Sequence, residues 1–400
     1  MKCERPRQAV ILAGGVGSRL RPLTAETPKP MIRFHGKPFS EYLLEMLKEQ
    51  GFEEFLFLSG YLADQVKDYF GDGHRWGVRV LHSMLPPEAE TGTRLIHALP
   101  MLQKEFFLAY CDNYCPIHFP ALWEHFQKVG GEALLTIYAN DDGYTQSNVR
   151  VGPSGLIEIY DKSRKADGLA GVEIGFGIFS KNMVERLPVG NISFERELYP
   201  ELIKEGKLVG FVTSHRYYSV GSFRRLPMTG EFLERKPAIL LDRDGTLNRR
   251  AAKADYIRRP EDFIWLPGAL EALKLLKEYG FRIFIITNQA GVARGMITNE
   301  QLESVHGKME YEAASAGGKI DGIYVCPHHW DDNCLCRKPK PGMLLQAQRE
   351  HHLDLSRTWF LGDDERDVQA GNAAGCKTGM VTVESSLIGW TKKILSNSPK

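Results

Sequence analysis

Carboxylates placed directly after apolar runs are the residues of this chain best suited to chemistry. Ala238 to Leu241 leads into Asp242-Arg243-Asp244-Gly245-Thr246, and TWFL (358–361) leads into Gly362-Asp363-Asp364. Between them come Thr287, ending FRIFIIT, and Lys338, in Cys336-Arg337-Lys338-Pro339. Acids, a hydroxyl and an ammonium at strand ends suit phosphoryl chemistry, which gathers anions around a cation. A second set is soft. Cys326, His328, His329, Cys334 and Cys336 fall within eleven residues, and three thiols with one imidazole suffice for closed, structural Zn²⁺. The two histidines compete for the fourth position. A third set is LAGGVGSRLRPLTAETPKP (12–30) after the apolar run Gln8 to Leu12. Its glycines let backbone N–H groups approach phosphate, a following helix N-terminus would add its dipole, and Arg19 and Lys29 suit a triphosphate and its pyrophosphate leaving group. The spacing is neither the Walker loop nor the dinucleotide fingerprint.

Positioning these residues calls for two α/β domains. Strand-like runs at 55–59, 78–82, 106–110, 281–287 and 358–362 alternate with helical patterns such as Gly268 to Tyr279, as in doubly wound parallel sheets. The charged, least periodic join is Arg224 to Pro237, which places the boundary near 233 and gives domains 1–233 and 234–400. At 400 residues, 43% hydrophobic and 25% charged, the chain has ample core for both. Lys plus Arg number 51 against 50 acids, so no general attraction to nucleic acid or anionic membrane is expected and small molecules are the expected partners. Seven cysteines are too sparse for a disulfide scaffold. No apolar run reaches a membrane span, the polar start is no signal peptide, and the expected location is cytoplasmic. The polar end, Thr391 to Lys400, is expected to fray.

The string at 12–30 resembles the signature of sugar-1-phosphate nucleotidyltransferases, over about residues 8 to 225. The resemblance implies a Rossmann-like fold in which Leu12, Ala13, Gly14, Gly15, Gly17, Arg19, Lys29 and Gly92, the last in Glu90-Thr91-Gly92-Thr93, contact the nucleotide. Asp112 would hold Mg²⁺, Lys162 the sugar phosphate and Glu173 a sugar hydroxyl. The acceptor phosphate would attack the α-phosphorus in line, stabilised by Arg19, Lys29 and Mg²⁺. One departure stands out: most such enzymes carry a second metal-binding Asp in Tyr-x-Asp-Ile-Gly-Thr, and here Tyr217-Tyr218-Ser219-Val220-Gly221-Ser222 puts Ser219 in its place.

Asp242-x-Asp244-Gly-Thr, Thr287, Lys338 and Gly362-Asp363-Asp364 together resemble the four motifs of haloacid-dehalogenase-like phosphatases, implying a Rossmannoid fold. Asp242 would attack phosphorus to give an aspartyl-phosphate, and Asp244 would protonate the leaving oxygen and then activate water. Thr287 and Lys338 would bind phosphoryl oxygens, and Asp242, Asp244 and Asp363 would hold Mg²⁺. Asp364 is left outside this set, as a helix N-cap or metal neighbour. The loop from 326 to 336 resembles the zinc loop of D-glycero-D-manno-heptose 1,7-bisphosphate phosphatases and of histidinol phosphatase, which favours Cys326, His328, Cys334 and Cys336. The wider strings ITNQAGVARG (286–295) and CRKPKPGM (336–343) imply that Asn288, Gln289, Arg294 and Arg337 contact substrate. The Asn248 to Tyr256 loop, NRRAAKADY, is longer than usual and cationic.

Joined, the halves match consecutive steps: removal of the 7-phosphate from a heptose 1,7-bisphosphate, then nucleotidyl transfer to the 1-phosphate. Two alternatives are a phosphatase carrying a non-catalytic nucleotide- or sugar-binding module, since Ser219 replaces a metal ligand, and a histidinol phosphatase.

Overall fold

The structure is a computed structural model describing residues 5–252 and 255–397; Lys253 and Ala254 of the cationic loop, the first four residues and the last three of the polar end lie outside the described residues. Two compact units divide between Glu234 and Arg235.

The first unit is built on seven strands: β1 (Gln8–Ala13), β2 (Glu54–Ser59), β3 (Arg79–Met84), β4 (Glu105–Tyr110), β5 (Ala133–Tyr138), β6 (Val172–Ser180) and β7 (Leu208–Thr213), in the order β7-β5-β6-β4-β1-β2-β3. β1, β2 and β5 are buried along their whole length, as strands covered on both faces must be. Alternate β1 residues enter different cores, Ala9 and Ile11 on one face and Val10 and Leu12 on the other. The sheet is mixed rather than wholly parallel, because β6 runs antiparallel to β4 and β5. The carboxyl ends of β1, β4 and β5 therefore open on one side.

The glycine-rich loop differs from the expected strand–loop–helix unit. Only a 3₁₀ turn, Ser18–Leu20, follows it, and the first α-helix begins at Phe39. Pro22, Pro28 and Pro30 remove amide donors from the intervening segment, which prevents a helix there. The join holds more structure than its sequence pattern suggests. Leu226–Leu233 is a helix belonging to the first unit: Phe232 stacks on Tyr218 with centroids 3.8 Å apart, and Thr229 Oγ1 donates to the Ser219 carbonyl at 2.9 Å.

The second unit has five parallel strands, β8 (Ala238–Leu241), β9 (Arg282–Asn288), β10 (Gly322–Cys326), β11 (Trp359–Gly362) and β12 (Lys377–Met380), ordered β10-β9-β8-β11-β12. Ile239 and Leu241 face one core and Ala238 and Leu240 the other. The expected fraying from Thr391 is corrected: Leu387–Ser396 is a helix that buries Thr391 and Ile394. No helix among the described residues is long and apolar enough to cross a membrane.

Candidate functional site

Parallel strands end together, so β8, β9 and β11 deliver their terminal residues to one crevice. Asp242 follows β8 and its N–H is held by the Leu361 carbonyl of β11 at 2.9 Å. Lys338 is buried between two carboxylates, with Nζ 2.5 Å from Asp242 Oδ1 and 2.6 Å from Asp367 Oδ1, and donates also to the Ile286 carbonyl at 2.9 Å. Burial alone would lower the Lys338 pKa, but the two carboxylates outweigh it and hold the ammonium charged. Burial, with Asp367 adding and Lys338 opposing, raises Asp242 above the usual carboxylate range.

Asp367 is absent from the sequence expectation. It lies in the first turn of the helix Glu365–Ala374, whose N-cap Asp364 forms a capping box with it, Asp364 N–H donating to Asp367 Oδ2 at 3.1 Å. Carboxylate oxygens of Asp242, Asp363 and Asp367 lie within 4.8 Å of one another. Three acids against the Lys338 ammonium and the Arg250 guanidinium, which reaches Asp363, still leave net negative charge that a hard divalent cation fits. Gly245 is required here: its φ is +96° and a Cβ would stand 1.7 Å from Asp363 Oδ2.

Asp244, also expected to hold Mg²⁺, is not among the carboxylates brought together in that cluster. Its carboxylate accepts from Arg243 Nη2 at 2.8 Å, Asn248 Nδ2 at 2.9 Å and Gln289 Nε2 at 2.8 Å. Burial pushes its pKa up, yet Arg243 and these donors hold it below the ordinary range. Arg243, wholly buried, is steadied in turn by His306 at 3.0 Å, which burial and the guanidinium keep neutral with its pKa pushed down to about 4. Thr287, Asn288 and Lys338 line a cavity of about 360 Å³ with Asp242, Asp244 and two further cations, Arg250 and Arg366.

The expected substrate contacts divide. Gln289 is buried, with Nε2 on Asp244 and on Thr287 Oγ1 at 2.8 Å. Its Nε2 thus positions the acid, and its Oε1 is buried with no partner among the described residues. Asn288 clamps the Lys338 backbone, donating to its carbonyl at 3.2 Å and accepting from its N–H at 3.1 Å. Arg294 lies outside the cavity lining, its guanidinium 5.2 Å from the Trp330 ring centroid, and Arg337 makes a long contact, 3.5 Å, to the His328 carbonyl. From the cationic loop, Arg250 reaches Asp363 Oδ1 at 2.7 Å and the Asp244 carbonyl at 3.2 Å.

The soft cluster forms at the end of β10. Separations of 3.7 Å for Cys326 Sγ to His328 Nδ1, 3.6 Å for Cys326 to Cys334, 3.4 Å for Cys334 to Cys336 and 3.1 Å for His328 Nδ1 to Cys336 approach the edges of a tetrahedron. Zn–S bonds of about 2.3 Å put those edges at roughly 3.5–3.8 Å. His329 is turned elsewhere, its Nδ1 accepting from the Asp331 N–H at 3.3 Å and its ring tilted against Trp330.

In the first unit the Lys29 ammonium meets Asp112 Oδ2 at 3.0 Å, and Arg19 and Gly15 lie exposed on the loop. Gly14 serves packing: a Cβ there would stand 2.2 Å from the buried guanidinium of Arg94, whose Nη1 donates to the Ser59 carbonyl at 2.7 Å. Leu12 and Ala13 are buried strand residues. Gly92 does not offer a free amide, because its N–H donates to the Ile192 carbonyl at 2.9 Å. Glu173 is pushed up to about 7 by burial, with Asp112 adding and the Gly175 N–H and Lys162 opposing. Lys162 is exposed, and Gly17 takes a left-handed φ of 70° before the 3₁₀ turn.

Residues 8–206 match the nucleotidyl transferase family model and residues 335–394 the HAD-hydrolase-like model. The chain thus joins a nucleotidyltransferase domain to a haloacid-dehalogenase-like domain. Over 179 residues, 41% of this chain and 94% of the relative, it is 41% identical to the D-glycero-beta-D-manno-heptose-1,7-bisphosphate 7-phosphatase of Yersinia pestis. Over 149 residues it is 40% identical to that of Escherichia coli K12, spanning 36% of this chain and 76% of the relative. Through its second unit, the chain belongs to the D-glycero-beta-D-manno-heptose-1,7-bisphosphate 7-phosphatase family. HddC from Yersinia pseudotuberculosis, solved with GMP-PN, shares the fold of the first unit at 24% identity and a TM-score of 0.50, covering 57% of this chain and 99% of that one.

Proposed function

We propose that this chain is a bifunctional heptose enzyme, with residues 234–400 hydrolysing the 7-phosphate of D-glycero-D-manno-heptose 1,7-bisphosphate and residues 1–233 transferring a nucleotidyl group from NTP to the heptose 1-phosphate. The observation that carries the reading is Lys338 held between Asp242 and Asp367, in a unit of the bisphosphate phosphatase family attached to a nucleotidyltransferase domain.

In the phosphatase, Asp242 is the nucleophile and Lys338 fixes its orientation, with Nζ placed to neutralise a transferring phosphoryl group. Mg²⁺ at Asp242, Asp363 and Asp367 supplies charge that lets a phosphate approach carboxylates. Asp244, ionised in the free enzyme, takes up a proton as the anionic substrate binds, gives it to the leaving sugar oxygen and takes one from the water that hydrolyses the aspartyl-phosphate; Arg243 and Gln289 keep it aimed at the cavity. Arg250 and Arg366 line the same cavity and suit the substrate's anionic groups. Zn²⁺ at Cys326, His328, Cys334 and Cys336 is structural and pins the segment that presents Lys338. In the transferase, Lys29 and Arg19 receive the triphosphate, Asp112 holds Mg²⁺, and Lys162 and Glu173 lie on the acceptor side. The proposed location is the cytoplasm.

The test is one reaction holding heptose 1,7-bisphosphate, Mg²⁺ and each NTP in turn, with phosphate and pyrophosphate read separately. Both products with one NTP are expected. Absence of phosphate overturns the phosphatase reading, and absence of pyrophosphate with every NTP overturns the transferase reading.

A further inference from the structure

The corner of the first unit beyond Asp112 holds a cation without a counter-ion. Arg225 closes the 3₁₀ turn Phe223–Arg225, and the helix that follows is locked to the Tyr218–Ser219 ribbon by Phe232 and Thr229. Its Nη1 donates to Tyr217 Oη at 2.9 Å and to Ser219 Oγ at 3.1 Å, and its guanidinium carbon lies 4.7 Å from the Tyr144 ring centroid and 5.1 Å from that of Tyr217. Two hydroxyls and two rings fix the fork's position without neutralising it. Two cations of the same region are matched, Arg216 with Asp142 and Lys29 with Asp112. Among the described residues no carboxylate lies within ion-pair distance of Arg225.

The ribbon ties this guanidinium to the proposed reaction centre. Ser219 pairs with Asn113, and the Val220 N–H donates to the Asp112 carbonyl at 2.9 Å. The glycine-rich loop leaves β1, on one side of β4. Tyr217 packs against Tyr138 at the end of β5, on the other side. Arg225, bonded to Tyr217, therefore lies toward β5 rather than toward the loop after β1, the flank that the proposed transfer leaves for the acceptor. Ser219 Oγ, accepting from a guanidinium, is poorly disposed to ligate a second cation.

We propose that Arg225 binds the phosphate of the sugar 1-phosphate acceptor and that Ser219 is part of its mount rather than a weakened metal ligand. The inference rests on the transferase reading above. In the transfer a phosphate oxygen of the acceptor forms a bond to the α-phosphorus as the bond to pyrophosphate breaks and pyrophosphate leaves with that electron pair. Arg225 exchanges no proton; it offsets the acceptor's charge so that two anions meet.

The experiment uses the full chain, with NTP binding by calorimetry, heptose 1-phosphate binding by calorimetry and pyrophosphate release by kinetics. Arg225→Ala is expected to raise the acceptor KM at least tenfold with the NTP Kd unchanged, and Arg225→Lys to recover part of the loss. Ser219→Asp puts a carboxylate against the guanidinium and is expected to weaken acceptor use. Faster transfer by Ser219→Asp, or an unchanged acceptor KM in Arg225→Ala, overturns the proposal. An equal loss of NTP affinity in Arg225→Ala does so too. If the wild type releases no pyrophosphate, the transferase reading fails by itself, and heptose 1-phosphate affinity decides this one: a tenfold loss in Arg225→Ala upholds anion binding, and equal affinity overturns it.

Discussion

Lys338 answers to two carboxylates, and the one not expected from the sequence is the more informative. Asp242 ends a strand and announces itself; Asp367 sits in a helix's first turn, where an acid serves ordinary capping. Its i, i+4 spacing from Asp363 was the available signal. If Asp367 orients Lys338 and lends charge to the metal set, Asp367→Asn is expected to lower phosphate release on the order of 10- to 100-fold and to weaken Mg²⁺ binding by calorimetry. Normal Mg²⁺ affinity with normal turnover would reduce it to a cap. Glu173 carries a pH signature. Its pKa is about 7 in the folded unit against an ordinary 4.5, so folding retains a proton that the unfolded chain loses. The stabilisation is whole below about 4.5 and is lost as pH rises through 7, up to about 3 kcal/mol. Glu173→Gln is expected to raise the melting temperature of the first unit at pH 8.5 and to leave it little changed at pH 4.5. A shift equal at both values would refute this assignment.

Elements explain why some residues were legible and others were not. Apolar runs followed by Asp242, Thr287 and Asp363 marked strand ends because both faces of a parallel sheet are buried and its catalytic crevice lies at the carboxyl edge. Asn288 and Gln289 read only as ligand contacts, because local pattern does not reveal that one also clamps the Lys338 backbone and the other also holds Asp244. At Gly14 the sequence shows a phosphate-loop residue but not a second reason for glycine, because the buried side chain that needs its missing Cβ, Arg94, is eighty residues away. The soft cluster was visible through spacing, which alone leaves His328 and His329 competing; the resemblance to the zinc loop favours His328, and the geometry places that ring among the thiols. Filled with zinc as proposed, that cluster would fix the segment carrying Lys338, two residues after Cys336. Stripping zinc with a chelator, or Cys336→Ser, is expected to lower the melting temperature of the second unit and its phosphate release together, with no rescue by added Mg²⁺. Recovery on Mg²⁺ addition would place the chelated ion in the catalytic set instead. The cationic loop acts on that set directly, because Arg250 contacts both Asp363 and the Asp244 carbonyl. A cation entering between them displaces it. Arg250→Ala is therefore expected to lower the Mg²⁺ Kd several-fold by calorimetry while raising the KM for bisphosphate, and a raised Mg²⁺ Kd would show that the arginine assists the metal site.

At the scale of the whole molecule, two units with separate cores carry the two proposed sets of machinery, Asp112 and Arg225 in one, Asp242 and Lys338 in the other. Their proposed chemistry is sequential, since hydrolysis of the bisphosphate makes the acceptor for transfer. This order gives a prediction that depends on which substrate is supplied. Asp242→Asn removes the nucleophile and is expected to abolish phosphate release from heptose 1,7-bisphosphate, and with it pyrophosphate release, because no acceptor forms. Supplying heptose 1-phosphate to the same variant is expected to restore pyrophosphate release to the wild-type rate. Asp112→Ala should show the converse, full phosphate release and no pyrophosphate from either sugar. If Asp242→Asn stays impaired with heptose 1-phosphate, the transferase depends on a competent phosphatase and the units are coupled. If it yields pyrophosphate from the bisphosphate itself, the first unit accepts the 7-phosphorylated sugar and the proposed order of the two steps fails.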